Sequence, residues 1–216
     1  MFTVAVNYAI TIPATLPSAA TPQEILNWLP GYLSAVLAIA FLTGIIGWII
    51  GYIAEGITIK FASDTLERGQ ANLQASFNFT ISRLLSLLVV SIITGILVII
   101  GLIAFVVPGI ILAIMFSLVV PAIIIENVGA LESLSRSRLL VSHRWLKTFG
   151  VLLLLYVIIG IVSALLGVIT TPFGLAGPLV SSILTAFIQP ILPIGLTLYY
   201  YSMIARATPQ EPTQTT

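Results

Sequence analysis

Five long apolar stretches, at residues 32–54, 84–107, 108–125, 149–169 and 179–201, constrain this chain more than anything else in it. Each approaches the roughly 20 apolar residues that an α-helix needs to cross about 30 Å of hydrocarbon. The chain is 59% hydrophobic and 7% charged, against a charged share of about 25% in soluble domains. One soluble core cannot hide that much apolar surface. The runs are continuous, whereas a membrane barrel needs alternating segments about ten residues long. The predicted fold is an all-α, polytopic integral membrane helix bundle of about five transmembrane helices, with a transmembrane domain over 30–206.

Residues 1–29 read as an outer segment with a short interfacial helix. Up to residue 21 the chain alternates, with Phe2, Val4, Val6, Tyr8, Ile10 and Ile12 facing one way, which is the period of an extended segment that Pro13 and Pro17 end. A cleaved signal peptide is the rival reading, since Ser18-Ala19-Ala20 offers small residues, but a basic leading region is missing. Thr21-Pro22-Gln23-Glu24 has the layout of a helix-opening capping box, and Trp28 and Tyr32 suit a membrane interface. After Pro30-Gly31, the first span carries Ala40, Gly44, Gly47, Gly51 and Ala54 on one helical face. Such a stripe lets another backbone approach closely; it reads as a packing face within the subunit, with a dimerisation seam as the functional alternative. The tail over 207–216, rich in Pro, Gln and Thr, reads as disordered.

Charge orients the spans. If the second and third form a hairpin turning at Pro108-Gly109, both connectors and the C-terminus share one side. All eight Lys and Arg residues then lie there: Lys60, Arg68, Arg83, Arg136, Arg138, Arg144, Lys147 and Arg206. By the positive-inside rule the N-terminus is expected outside a cell membrane and the C-terminus in the cytoplasm. Tyr199-Tyr200-Tyr201 fits an inner aromatic belt. Both connectors read as amphipathic: Leu66, Leu73, Phe77, Ile81 and Leu84 recur at helical spacing in the first, and Leu131, Leu134, Val141, Trp145 and Phe149 line one face of the second. An offset of 68 residues lays Asp64 to Gly69 on Glu132 to Ser137, and Phe77 on Trp145. The acid-to-arginine spacing of i, i+4 that recurs in both, Asp64 to Arg68 and Glu132 to Arg136, supports a helix in each. Together these read as a parallel internal duplication.

The supply of reactive groups is thin. A net charge of +1 implies no nucleic-acid partner. The absence of cysteine excludes disulfides, thiol catalysis and thiolate metal sites. His143 is the single histidine, beside Arg144 in a basic connector, where a headgroup-facing or solvated role fits better than catalysis. No catalytic residue, metal or cofactor is assigned. Glu55 and Glu126 close the first and third spans, and each is expected to pair with a connector arginine or snorkel to water. Arg136, Arg138, Arg144, Lys147 and Arg68 are candidates for anionic lipid headgroups on the inner side. Gln189, Pro190 and Pro193 interrupt the fifth span and Pro121 the third. The freed carbonyls of Ala186, Gln189 and Ser117 can coordinate an ion or a hydroxyl, as broken helices do in transporters; the plainer alternative is proline tolerated in a membrane helix.

Val107-Pro108-Gly109-Ile110 opens a span, Pro121 and Glu126 close it, and Ala130-Leu131 through Ser137 and Leu140 precede another. In these features residues 30–206 resemble the helical membrane domain fused to some bacterial glycerophosphodiester phosphodiesterases, which has stand-alone archaeal and bacterial relatives without assigned activity. The resemblance implies an all-helical fold and proximity to lipid metabolism. It does not carry over the phosphodiesterase chemistry, which belongs to a separate soluble barrel unlike anything in these residues. The expected role is a non-enzymatic membrane scaffold or lipid-associated module, alone or with a second copy or another membrane protein. A small transporter or channel subunit using the broken fifth span is the alternative.

Overall fold

The computed structural model describes residues 21–207. The alternating N-terminal segment, its candidate cleavage site and the tail from residue 208 lie outside the described residues. Among the described residues there is no strand. The α-helices are α1 (Pro22–Arg68), α2 (Leu73–Ser82), α3 (Leu84–Ala104), α4 (Val106–Met115), α5 (Val119–Ile125), α6 (Ala130–Ser142), α7 (Trp145–Thr170), α8 (Gly177–Ala186) and α9 (Ile191–Ala207), with a 3-10 turn over Thr171–Ala176. Five segments are long and apolar enough to cross a membrane: Pro22–Arg68, Leu84–Ala104, Val106–Ile125, Trp145–Thr170 and Val180–Arg206. The chain is a polytopic helical membrane protein.

It divides into two units, Met1–Gly51 and Tyr52–Thr216. In the first, the capping box forms as expected: the Thr21 N–H donates to Glu24 Oε2 at 2.8 Å and the Glu24 N–H to Thr21 Oγ1 at 3.4 Å. Trp28 and Tyr32, one turn apart, stack with ring centroids 4.6 Å apart. The helix runs through Pro30 rather than restarting after it. An interior proline removes one backbone bond, and the apolar run on either side continues the helix. A Cβ built on Gly44, Gly47 or Gly51 meets no atom within 4 Å.

The second unit is organised around α5. Leu118 and Ala122 face one core cluster, with Ile114, Leu140, Val141, Leu196, Tyr200 and Met203. Val119, Ile123 and Ile124 face another, with Ile59, Leu87 and Val90. Two close approaches set the surrounding helices. A Cβ on Gly56 of α1 would lie 2.5 Å from the Thr80 methyl of α2, and one on Gly101 of α3 would lie 2.9 Å from Gly109 Cα of α4. The α3–α4 hairpin turns at extended Phe105, three residues before the expected Pro108, which sits in the first turn of α4. Gly69, at φ 68°, ends α1, and Asn127, at φ 58°, follows α5; both occupy the left-handed position that commonly closes a helix.

The second connector departs from its amphipathic reading. Helix α6 buries Ser133, Ser137, Leu140 and Val141, whereas Leu131 is 71% exposed. A face of small hydroxyls and two aliphatics packs inward, because serine lets helices approach closely in a bundle. The 68-residue offset is not repeated in the helix boundaries: the break over residues 69–72 falls on 137–140, inside α6. Nor do the i, i+4 acid-to-arginine pairs form. Asp64 pairs with Lys60 and Arg136 with Glu126.

Gly109→Ala is expected to lower the melting temperature in detergent, since its Cβ would lie 2.7 Å from the Leu102 backbone nitrogen and overpacking costs about 1–3 kcal/mol. Gly160→Ala on α7, where a Cβ meets nothing within 4 Å, is expected to be neutral or mildly stabilising through helix propensity.

Candidate functional site

Within the second unit the polar side chains gather where α5 ends, α6 and α7 begin and α9 closes. Glu126 caps α5, and Asn127 redirects the chain so that Arg136 on α6 comes back over it. Arg136 Nε lies 2.7 Å from Glu126 Oε2 and Nη2 2.8 Å from Oε1, a two-pronged contact at 30% and 23% side-chain exposure. The hydrogen bonds that Arg136 donates to Glu126 hold its pKa above the ordinary value, so the guanidinium stays charged. The buried Tyr200 hydroxyl lies within electrostatic reach of this pair. Glu126 thus finds the connector arginine that its position led us to expect.

One residue further along α6, Ser137 performs a different task. Its hydroxyl donates to the Met115 carbonyl at 2.6 Å and accepts from the Leu118 N–H at 3.3 Å. Met115 precedes, and Leu118 ends, the 116–118 turn that separates α4 from α5.

Tyr199, Tyr200 and Tyr201 do not form a lipid-facing belt. Tyr199 shares a hydrogen bond of 2.9 Å with Thr148 of α7, and Tyr201 one of 2.7 Å with Ser63 of α1, also donating to Glu67. Tyr200 between them is fully buried. Successive helical residues point about 100° apart, as 3.6 residues per turn requires, so three adjacent phenols meet three different neighbours. Nearby, Lys60 pairs with Asp64 at 2.9 Å and lies 4.9 Å from the centre of the Phe79 ring.

Beside these contacts a cleft of about 330 Å³ is lined by Arg136, His143, Arg144 and Arg206, with Leu139, Leu140 and Met203 as its apolar walls. Of the expected headgroup residues it brings together Arg136 and Arg144, and it adds His143 and Arg206. Arg138 and Lys147 are exposed outside it, and Arg68 is exposed at the end of α1. Arg136 is already matched by Glu126, so Arg144 and Arg206 supply the uncompensated charge; neither is ion-paired among the described residues. The break in the fifth span is real, with turns over 187–190 between α8 and α9. Gln189, however, is exposed, Pro190 borders an apolar groove with Phe61 and Leu66, and Pro193 is buried with its carbonyl accepting from Thr197 Oγ1 at 2.7 Å. Pro121 is buried in α5. Among the described residues no group of three or more His, Cys, Asp or Glu is placed to hold a metal ion.

A family model described as "Domain of unknown function (DUF7847)" matches residues 3–199. The chain belongs to this family. No curated protein and no solved structure matches it. The DUF7847 match takes in Glu126, Arg136, Ser137 and Arg144 and stops at Tyr199, so Tyr200, Tyr201 and Arg206 lie past its end.

Sequence reasoning missed Ser137, Tyr200 and Thr148 as structural contacts. The signal for Ser137 was present in its spacing of four from Ser133, which gives α6 a second face beside the apolar one. Ser137→Ala is expected to lower stability by about 1–3 kcal/mol in a thermal melt, because it strands two backbone groups. Ser133→Ala is expected to change little, since that hydroxyl bonds only its own helix, to the Ala130 carbonyl at 2.7 Å.

Proposed function

We propose that this protein is a non-enzymatic, lipid-associated membrane module whose charged end holds an anionic headgroup. The observation that carries the reading is the cleft in which Arg144 and Arg206 stand without acidic partners among the described residues while Glu126 is consumed by Arg136. Exposed Leu139 lines it, and exposed Trp145 and Leu146 follow Arg144 directly in the chain, a mixture of cationic, aromatic and aliphatic groups that suits a headgroup region. With one histidine and no cysteine in the chain, binding fits these residues better than catalysis. The N-terminus is placed outside a cell membrane and the C-terminus in the cytoplasm, because that puts every Lys and Arg beneath the inner leaflet. Proximity to lipid metabolism, implied by the resemblance to phosphodiesterase-linked membrane domains, agrees with a lipid ligand. A transporter using the fifth-span break is less well supported, since Gln189 faces away from the protein interior.

The shared chemistry of the ligand is a phosphate monoanion or dianion, from a lipid or free in solution. Native mass spectrometry in neutral detergent separates the two. Phosphatidylglycerol is expected to be retained over phosphatidylcholine, and the preference to fall about thirtyfold in the Arg144→Gln/Arg206→Gln double variant, at about 1 kcal/mol per basic residue near an anionic surface. Inorganic phosphate that displaces the lipid at millimolar concentration would point to a free anion instead. Equal retention of both lipids by the wild type would sink the reading. Impermeant labelling of termini in sealed vesicles is expected to reach the N-terminus only from outside.

A further inference from the structure

A second cavity, of about 520 Å³, lies within the second unit, walled by α1, α3, α4, α5, α7 and α9. Its volume falls in the range of small-molecule sites, about 300–1,000 Å³. Besides the tyrosines Tyr52 and Tyr156, three polar residues line it: Glu55 from α1, Thr94 from α3 and Ser117 from the turn that breaks the third span. No Lys, Arg or His lines it, and the ion pairs among the described residues, Lys60–Asp64 and Arg136–Glu126, leave Glu55 out. The Thr94 hydroxyl is buried without a hydrogen-bond partner. The Ser117 carbonyl lies in the turn just before α5, and Pro121, four residues on, has no N–H to offer it. Each is a group whose burial is costly until something pairs with it. Glu55 differs here from Glu126, which the fold satisfies.

The remaining walls say which partner fits. Tyr52, Phe116, Phe149 and Tyr156 bring aromatic rings to the same cavity. Acceptors and aromatic faces around one carboxyl, with no competing cation, are the features that recognise a positively charged amine carried on an apolar body. A bilayer acyl chain would match the apolar walls but leave the carboxyl and hydroxyl unpaired.

We infer that the Glu55 cavity is a binding site for a lipophilic organic cation, a quaternary or protonated amine whose charge meets Glu55 and whose apolar part fills the aromatic wall. The site is distinct from the Arg144–Arg206 cleft in position and in sign, and does not rest on it.

Benzyltrimethylammonium and its uncharged carbon isostere neopentylbenzene have nearly the same shape, so they isolate the charge. Binding of each to the full-length protein in neutral detergent is measured by equilibrium dialysis. The wild type is expected to bind the cation at least about tenfold more tightly than the isostere. Glu55→Gln is expected to abolish that preference while leaving the isostere's affinity unchanged. Equal affinity for the two ligands, no binding of the cation, or a preference that survives Glu55→Gln would each overturn the inference. If Glu55→Gln does not fold, the wild-type pair decides together with Phe149→Leu, which is expected to weaken the cation more than the isostere. An equal loss for both ligands counts against the site.

Discussion

In a bilayer no water is at hand for a backbone N–H or C=O that loses its helical partner, and this chain breaks its third span in the middle. Helix α4 stops at Met115 and α5 resumes at Val119. The break is tolerable because Ser137 reaches into it, donating a hydrogen bond to the Met115 carbonyl and accepting one from the Leu118 N–H. That repair has a structural consequence. The connector helix is packed against α5, with Ser133 and Ser137 on its buried side. Once α6 is held there, Arg136 falls over Glu126, and Leu140 and Val141 complete a core cluster with Tyr200.

The tyrosine run on α9 depends on that placement. Tyr199 reaches the start of α7 and Tyr201 reaches α1, while Tyr200 is enclosed beside the Glu126–Arg136 pair. Aromatic residues near the end of a membrane helix commonly anchor it at the lipid interface. Here the phenols tie helices to one another. Hydrogen bonds across membrane helices average about 0.6 kcal/mol each, so their value lies more in fixing which helix faces which than in bulk stability.

Much of the fold was legible. The five apolar runs, the capping box at Thr21 and the pairing of Glu126 with a connector arginine all follow from composition and spacing, because the bilayer selects strongly for length and penalises stray charge. What misled the reading was proline. Pro121 and Pro193 look like interruptions inside spans, and Pro108 like the turn of a hairpin. Each instead occupies the third position of a new helix, α4, α5 and α9, where a missing N–H removes no intrahelical bond. A proline in an apolar run therefore marked a restart as often as a bend. The candidate headgroup site was half legible: Arg136 and Arg144 meet in the cleft, but Arg206 joins them only because α9 packs beside α6, a long-range contact that no local pattern carries. Arg138 and Lys147 share the same charge and the same segment yet point elsewhere.

The charges that the fold leaves unmatched sit in two environments with different costs. Arg144 and Arg206 line an open cleft among exposed residues, where water or headgroups can solvate them, so an uncompensated cation there costs little and needs no specific ligand to persist. Glu55 lines a cavity among aromatic and aliphatic walls, where a carboxyl without a partner is expensive. Nothing about the packing demands an acid at that position: Gly56 beside it makes the close approach to Thr80, and Ile59 one turn on enters the core. A glutamine or leucine would serve the helix equally well. Structural economy therefore accounts for the arginines at the charged end but not for Glu55, whose presence is better explained by something that binds to it.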